Sequence, residues 1–271
     1  MTHYARPRLL FIALLTALCA PTFAAAQSRE DAKLITATQV LDELRATPDQ
    51  RIPTWLLDRA YGVAVVPNVI QGAVVFFGGR RGKGVLSARD ANGRFSDPVF
   101  ISLTGGSVGW QIGAQAADVV LVFASKRSLE NFGRGQFTLG ASASVAAGPM
   151  GRTGEAAAGV EAEIYSYSRA RGLFAGVALD GTVLAFDGKA NRNFYGHEVT
   201  TAQITGGEVK ANSETSRRFI AAIVAGLSPA AGAEPTAPAV ATPAPAAPAA
   251  PAPEGAKSFP LADPQPGSEP K

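Results

Sequence analysis

Between Val63 and Asp187 the chain reads as a series of short β-prone runs broken by glycine, while helical patterns sit mainly at its two ends. A parallel sheet needs a crossover, usually helical, between strands, and the regular βαβ alternation that would supply it is missing. We therefore expect an α+β domain: a strongly twisted antiparallel sheet, barrel-like or a sandwich, flanked by N- and C-terminal helices. The glycines inside the runs fit bends, bulges or close backbone approach.

Local patterns fill in this outline. Leu34, Ala37, Leu41 and Leu44 recur at helical spacing, and Pro48 ends that helix. Pro53 suits the first position of a second helix carrying Trp55, Leu56 and Leu57. Val63–Val66 is a short strand stopped by Pro67, Val69–Phe77 is another, and Gly78-Gly-Arg-Arg-Gly-Lys-Gly84 reads as a loop. Asn92-Gly93 marks a hairpin turn between Val85–Arg89 and Arg94–Leu103. Val119–Ala124 is a buried strand, and Ser125 caps a short helix over Lys126–Phe132. Phe137–Ala147 and Ala157–Arg169 alternate as strands do, and Leu173–Leu179 is expected to pair with Thr182–Asp187 across Asp180-Gly181. A helix over Glu214–Leu227 closes the series, with Phe219, Ile220, Ile223, Val224 and Leu227 on its apolar stripe.

The ends have different compositions. Residues 1–26 have the pattern of a secretory signal peptide: Arg6 and Arg8, the apolar Leu9–Leu18, then Ala24-Ala25-Ala26 as a cleavage site. Leu9–Leu18 is about half the length needed to span a bilayer. Cys19 follows Leu18 rather than a small residue, so it reads as part of the leader rather than a lipidated cysteine. This predicts secretion across an inner membrane into a periplasm or cell envelope, with peripheral membrane association as a further option. Most of the prolines fall between Pro229 and Pro270, mixed with alanine, so residues 229–271 read as a disordered, semi-stiff spacer. The folded domain is placed at 27–228, long enough to bury a sizeable core.

Composition excludes several chemistries. The net charge of +3 falls by two once Arg6 and Arg8 are removed, and no dense cationic stripe remains, so nucleic acid is not an expected partner. With Cys19 gone, His197 is the single residue of its type and no cysteine is left. That leaves no disulfide, no cysteine nucleophile and no Cys/His zinc site; no metal and no cofactor are implied. Gly105-Gly-Ser107-Val-Gly109 satisfies the G-x-S-x-G pattern of a hydrolase elbow, with Asp118 or Asp187 and then His197 in the right order. The elbow needs a helix directly after it, whereas Trp110-Gln-Ile-Gly113 continues a strand-like pattern. Phe77 and Gly84 break a phosphate-loop match around Gly82-Lys83. Glu161 and Glu163 lie two apart on one strand face, where an exposed polar face is the simpler reading. A non-enzyme is expected.

Six motifs in series carry a family resemblance. They are Ile52 to Pro67, Gly78 to Val85, Gly93 to Leu103 with Asp97-Pro98, Gly105 to Gly113, Leu139 to Pro149, and Tyr165-Ser-Tyr-Ser-Arg-Ala-Arg-Gly-Leu-Phe-Ala-Gly176. In order and spacing they resemble the SYLF domain family, to which fungal actin-binding SYLF proteins also belong. The resemblance implies lipid binding, with phosphoinositides for eukaryotic members, through an amphipathic N-terminal helix and nearby basic residues. In the envelope location expected above, neither actin nor phosphoinositides would be met, so anionic membrane phospholipid becomes the expected partner. A non-catalytic envelope structural or protein-interaction domain, holding an envelope protein partner, is the alternative.

Candidate lipid-binding residues follow from charge. Arg80, Arg81 and Lys83 form the densest cation cluster, on a loop whose glycines would let phosphate approach; a solvated hairpin tip is the competing reading. Lys126 with Arg127, and Arg169 with Arg171, are secondary clusters. Leu34, Leu41 and Leu44 would face a headgroup layer if the first helix lies on a membrane. A helix docked on its own core is the preferred reading of that pattern. A lipid could instead occupy a cavity lined by Val74–Phe77 and Val119–Phe123, for which buried core is the default reading.

Overall fold

The computed structural model describes residues 27–47, 51–74, 77–108, 113–135, 137–149, 162–170, 173–177 and 179–227. The leader-like residues 1–26 and the Pro/Ala-rich residues 229–271 lie outside them. Helix α1 (27–46) is followed by α2 (Thr54–Asp58) and four long strands: β1 (Gly62–Val74), β2 (Phe77–Ala88), β3 (Val99–Val108) and β4 (Gly113–Phe123). Then come α3 (Lys126–Gly133), β5 (Phe137–Thr138), β6 (Val145–Ala147), β7 (Ile164–Ala170), β8 (Leu173–Gly176) and β9 (Thr182–Phe186). Helices α4 (Gly188–Tyr195), α5 (Thr201–Thr205) and α6 (Glu214–Leu227) complete the order. Among the described residues, nine strands form one curled, half-barrel sheet, eight of them in the order β5-β9-β3-β2-β1-β4-β7-β6, with β8 paired to β7 off that path. Pairing is antiparallel except between β6 and β7. The expected α+β architecture, an antiparallel sheet with helices at both ends, is the one observed.

The central strands are apolar on both faces because both faces are covered. Side chains alternate along a strand, so Val63 and Val65 point one way and Ala64 and Val66 the other. The first set packs with Leu34, Leu41, Leu44, Leu56, Phe219 and Ile223 from α1, α2 and α6. The second packs with Phe132 of α3, Phe137, Leu184 and Ile204 of α5. Each such large apolar side chain, fully buried, contributes ~1.5–3 kcal/mol. The run Val119–Phe123 is divided in the same way: Val120 and Val122 join one core, Val119, Leu121 and Phe123 the other. It is core, not cavity wall. The side chains of Val74–Phe77 lie outside the described residues.

Two sequence expectations are corrected around Pro67. Strand β1 does not stop there; it runs through a bulge. Five steps from Val65 to Ile70 on β1 face four from Val85 to Arg81 on β2, and β1 likewise gains one residue against β4. Asn68 takes the left-handed conformation, φ 51°, and its backbone N–H donates to Asp118 Oδ1 at 2.9 Å. Gly78–Gly84 is not a loop but the first part of β2. Its glycines make room for the bulge: a Cβ on Gly84 would stand 2.2 Å from the Val65 carbonyl oxygen, and one on Gly82 2.7 Å from Val66 Cγ1.

The Tyr165–Gly176 region is structural at its strand. Tyr167 is fully buried, its hydroxyl donates to the Pro149 carbonyl at 3.0 Å, and its ring covers Gly148, where a Cβ would come within 2.1 Å. β8 pairs with β7, whereas β9 pairs with β3 and β5, so the expected Leu173–Leu179 to Thr182–Asp187 hairpin does not form. Helices α4 and α5 had no expectation. Fully buried Asn191 ties α4 to β3: its amide accepts from Phe100 N–H at 2.9 Å and donates to the Phe100 carbonyl at 2.8 Å.

Gly84→Ala should destabilise the domain by about 3 kcal/mol, the upper range for overpacking. Asn68→Gly should cost little, because glycine accepts the positive φ and the hydrogen bond uses the backbone. Denaturant unfolding checks both; a neutral Gly84→Ala would contradict the close approach.

Candidate functional site

The cations singled out by sequence are dispersed. Arg80 and Arg81 are neighbours on β2 and therefore lie on opposite faces of the sheet. Lys83 shares the face of Arg81 and is paired with Asp187 at 2.7 Å. Lys126 reaches Glu130 at 3.5 Å, with Arg127 exposed beside it. Arg169 binds Glu43 of α1 and lies 3.6 Å from Asp118, so it staples α1 to the sheet at the bulge. Arg171 lies outside the described residues. The expected basic glycine loop is thus a strand with one of its three cations neutralised. Leu34, Leu41 and Leu44 are buried in the core, so the face foreseen for a headgroup layer is already covered by the protein.

Asp187 shows how firmly Lys83 is held. Burial by itself would raise the carboxyl pKa, but the Lys83 hydrogen bond, the N–H of Ala190 and the charges of Lys83 and Lys33 outweigh it and hold the group below the ordinary carboxylate value. The same side chain caps α4 through Ala190 N–H.

A concave apolar site does exist, at a place the sequence did not single out. Leu41 and Leu44 of α1, Ile52 and Leu57 at α2, Val63 of β1, and Ile223 of α6 line a small, partly open cleft of about 40 Å³. Ala222 and Gly226 of α6 complete its lining. Arg45 and Arg51 stand in its lining. Arg45 contacts Asp42 at 3.6 Å, both side chains about half exposed, and Arg51 makes no ion pair among the described residues. The signal was indirect: the two arginines flank Pro48, at the junction of two apolar helical patterns. Among the described residues, no helix is long and apolar enough to cross a membrane.

The hydrolase geometry is not assembled as an elbow requires. Ser107 lies within β3, paired with Gly78, and the next described element is strand β4 rather than a helix. Asp187 is committed to Lys83 and α4, and Asp118 to the bulge. Glu163 accepts from the Ser125 hydroxyl and from Ser144 N–H, which makes it an anchor for α3 and β6 rather than half of an acid/base pair.

A curled sheet buried on both faces, with a small apolar cleft among its terminal helices, defines a helix-covered α+β domain. Residues 104–225 match the family described as Ysc84: Las17-binding protein actin regulator, and with this region the chain belongs to the Ysc84/SYLF family. It is 40% identical over 168 residues to Protein YSC84 of Saccharomyces cerevisiae, covering 60% of this chain and 35% of that protein. It is 38% identical over 167 residues to LAS seventeen-binding protein 3 of the same yeast, covering 60% of this chain and 36% of that protein. With SH3 domain-containing YSC84-like protein 1 of Xenopus laevis the identity is 33% over 203 residues, 73% of this chain and 60% of that protein. The chain thus spans about one third to three fifths of the length of these relatives. No solved structure matches.

These relatives correct the expected location. They are proteins of yeasts and vertebrates, whose cells have no periplasm, so the secreted, cell-envelope placement drawn from residues 1–26 does not stand. The exclusion of actin rested on that placement and falls with it.

The Asp187 pairing gives a pH test. A carboxyl held low in the folded state adds stability above its unfolded pKa of about 3.9, and loses it as pH falls through the folded value. Lys83→Met should cost about 1 kcal/mol or less at neutral pH, since the lysine is half exposed. The difference should vanish in strong acid. Urea unfolding across pH checks this; a difference constant from neutral pH into strong acid would contradict the pairing.

Proposed function

We propose that this domain is a non-catalytic module that binds anionic membrane phospholipid, with the headgroup against Arg45 and Arg51 and the first methylenes of an acyl chain at the mouth of the small α1–α2–α6 cleft. One observation supports the reading above the others: an apolar cleft whose lining includes two guanidiniums, one without an ion-pair partner among the described residues. Apolar walls suit a few methylenes, and a guanidinium suits phosphate or carboxylate in a fork of parallel hydrogen bonds. Each cation near an anionic bilayer adds ~1 kcal/mol. Arg81 and Arg127, both exposed, would add to this attraction from other surfaces. Ser107 within a strand, and the structural commitments of Asp118 and Asp187, favour a binding role over hydrolysis.

A second reading, a protein-interaction domain, is favoured by the relatives' names, one of which is a LAS seventeen-binding protein. The Ysc84 family is described as an actin regulator, so actin and its regulators are the partners to test for that reading.

Co-sedimentation of the full chain with vesicles tests the lipid reading. Phosphatidylserine in phosphatidylcholine should pull the protein down and phosphatidylcholine alone should not, with binding weakened by salt. The double change Arg45→Gln, Arg51→Gln should weaken it about tenfold or more, and Ala222→Leu, which narrows the cleft, should weaken it further. Binding untouched by all three substitutions would remove the cleft from the account. Absence of binding to either vesicle would leave the protein-interaction reading.

A further inference from the structure

Where β2 ends, the Asp90–Gly93 turn, α3 and α5 enclose a groove of about 450 Å³, against about 40 Å³ for the α1–α2–α6 cleft. That lies within the ~300–1,000 Å³ of ligand-sized sites. Arg89 and Asp90 form one wall, Glu130 and Arg134 a second, Thr201 and Thr205 a third. Among the described residues Leu129 is the one large apolar side chain in its lining, so the groove is not built for a hydrocarbon chain. Gly133 of α3 also lines it, and a Cβ there would meet nothing within 4 Å.

Both carboxylates of the walls are engaged on their own elements. Asp90 Oδ1 accepts from the N–H groups of Asn92 and Arg94 at 2.8 and 2.9 Å, and its Oδ2 lies 3.5 Å from the Arg94 guanidinium. Glu130 lies 3.5 Å from Lys126, one turn back on α3. The two guanidiniums have no such counter-charge among the described residues. Arg89 donates to carbonyls alone: Nε to Ala60 at 2.7 Å, Nη1 to Gly93 at 3.2 Å and Nη2 to Leu57 at 3.3 Å. An arginine has five N–H groups, so Arg89 keeps one on each Nη. The Arg134 guanidinium has no partner among the described residues and keeps all five. Thr205 donates its hydroxyl to the Thr201 carbonyl at 2.9 Å and keeps its lone pairs, while the Thr201 hydroxyl has no partner among the described residues. The groove is therefore rich in free donors and holds two positive charges that no described carboxylate answers.

We propose that this groove binds an acidic, extended peptide segment of a partner protein. Carboxylates of the segment pair with Arg89 and Arg134, since a guanidinium holds a carboxylate through charge-assisted N–H···O bonds. The two guanidiniums stand on different walls, so a ligand that reaches both must carry its negative charges apart. Acidic side chains along a peptide do so, and a single small anion does not. The Thr201 and Thr205 hydroxyls meet N–H and C=O groups of the peptide backbone. The open space over Gly133 admits that backbone. The groove is separate from the cleft, and the proposal does not rest on the lipid reading given above.

The test follows the fluorescence anisotropy of a labelled peptide of alternating glutamate and alanine as the full chain is added. The peptide should bind saturably at low salt, and the same peptide with glutamine for glutamate should not. Arg134→Gln should weaken binding about tenfold. Gly133→Leu fills the groove from a helical position with free space around it, and should weaken binding at least as much without lowering the thermal midpoint. Arg217→Gln, the same loss of charge on exposed α6, should leave binding unchanged. Binding that persists in the double cleft variant Arg45→Gln, Arg51→Gln is expected and shows that the two sites are separate. No saturable binding, binding that Arg134→Gln and Gly133→Leu both leave unchanged, or an equal loss in Arg217→Gln overturns the proposal. Inorganic phosphate that displaces the peptide as readily as unlabelled peptide does also overturns it, in favour of a simple anion site.

Discussion

At Gly84 the backbone of β2 comes so close to β1 that a methyl group would meet a carbonyl oxygen, and the curl of the sheet depends on this contact. The extra residue in the Pro67–Asn68 bulge increases the local twist of the central strand. Both neighbours of β1 must follow it: β2 by giving up side chains at Gly82 and Gly84, β4 by offering Asp118 to the freed N–H of Asn68. Arg169 on β7 then reaches Asp118 and Glu43, so the bulge also fixes α1. A curled sheet presents a hollow that α1, α2 and α6 fill almost completely, and the small cleft is what remains.

This chain of dependence explains which parts of the fold were legible. Apolar alternation in Val63–Val66 and Val119–Phe123, the Ser125 cap and the stripe of Glu214–Leu227 are local signals, and a strand, a strand, a cap and a helix formed there, though β1 runs on through Pro67 and Val224 of the stripe is exposed. Pro67 and the glycines of 78–84 misled for a common reason. Proline and glycine usually end strands, but here they make one bulge across two strands, and the partner is not visible in either segment alone. The β8 and β9 pairings were missed because Asp180-Gly181 is a good turn signal, while the choice of partner is set by distant β3 and β7. Asn191 and the α4 helix it anchors carry too few apolar residues to stand out in sequence.

The site was less legible than the fold. Charge density along the chain pointed to Arg80, Arg81 and Lys83, but strand alternation sends the first to one face and the others to the opposite one. Asp187 and Glu43, remote in sequence, claim Lys83 and Arg169. Conversely, Arg45 and Arg51 are unremarkable in sequence and gain meaning only because α1, α2 and α6 gather apolar side chains around them. A cluster of cations in sequence measures composition; a site needs the residues that the fold leaves unpaired. By that criterion Arg51, just before α2, stands out.

The central functional claim is that the cleft receives a hydrocarbon chain. Methyl-labelled full-length protein, mixed with a short-chain phosphatidylserine, would show this through nuclear Overhauser contacts between acyl methylenes and individual methyl groups. Contacts are expected to Leu41, Leu57, Val63 and Ile223, four of the methyl-bearing residues that line the small cleft. Binding of the lipid with no contact to these four residues would contradict it.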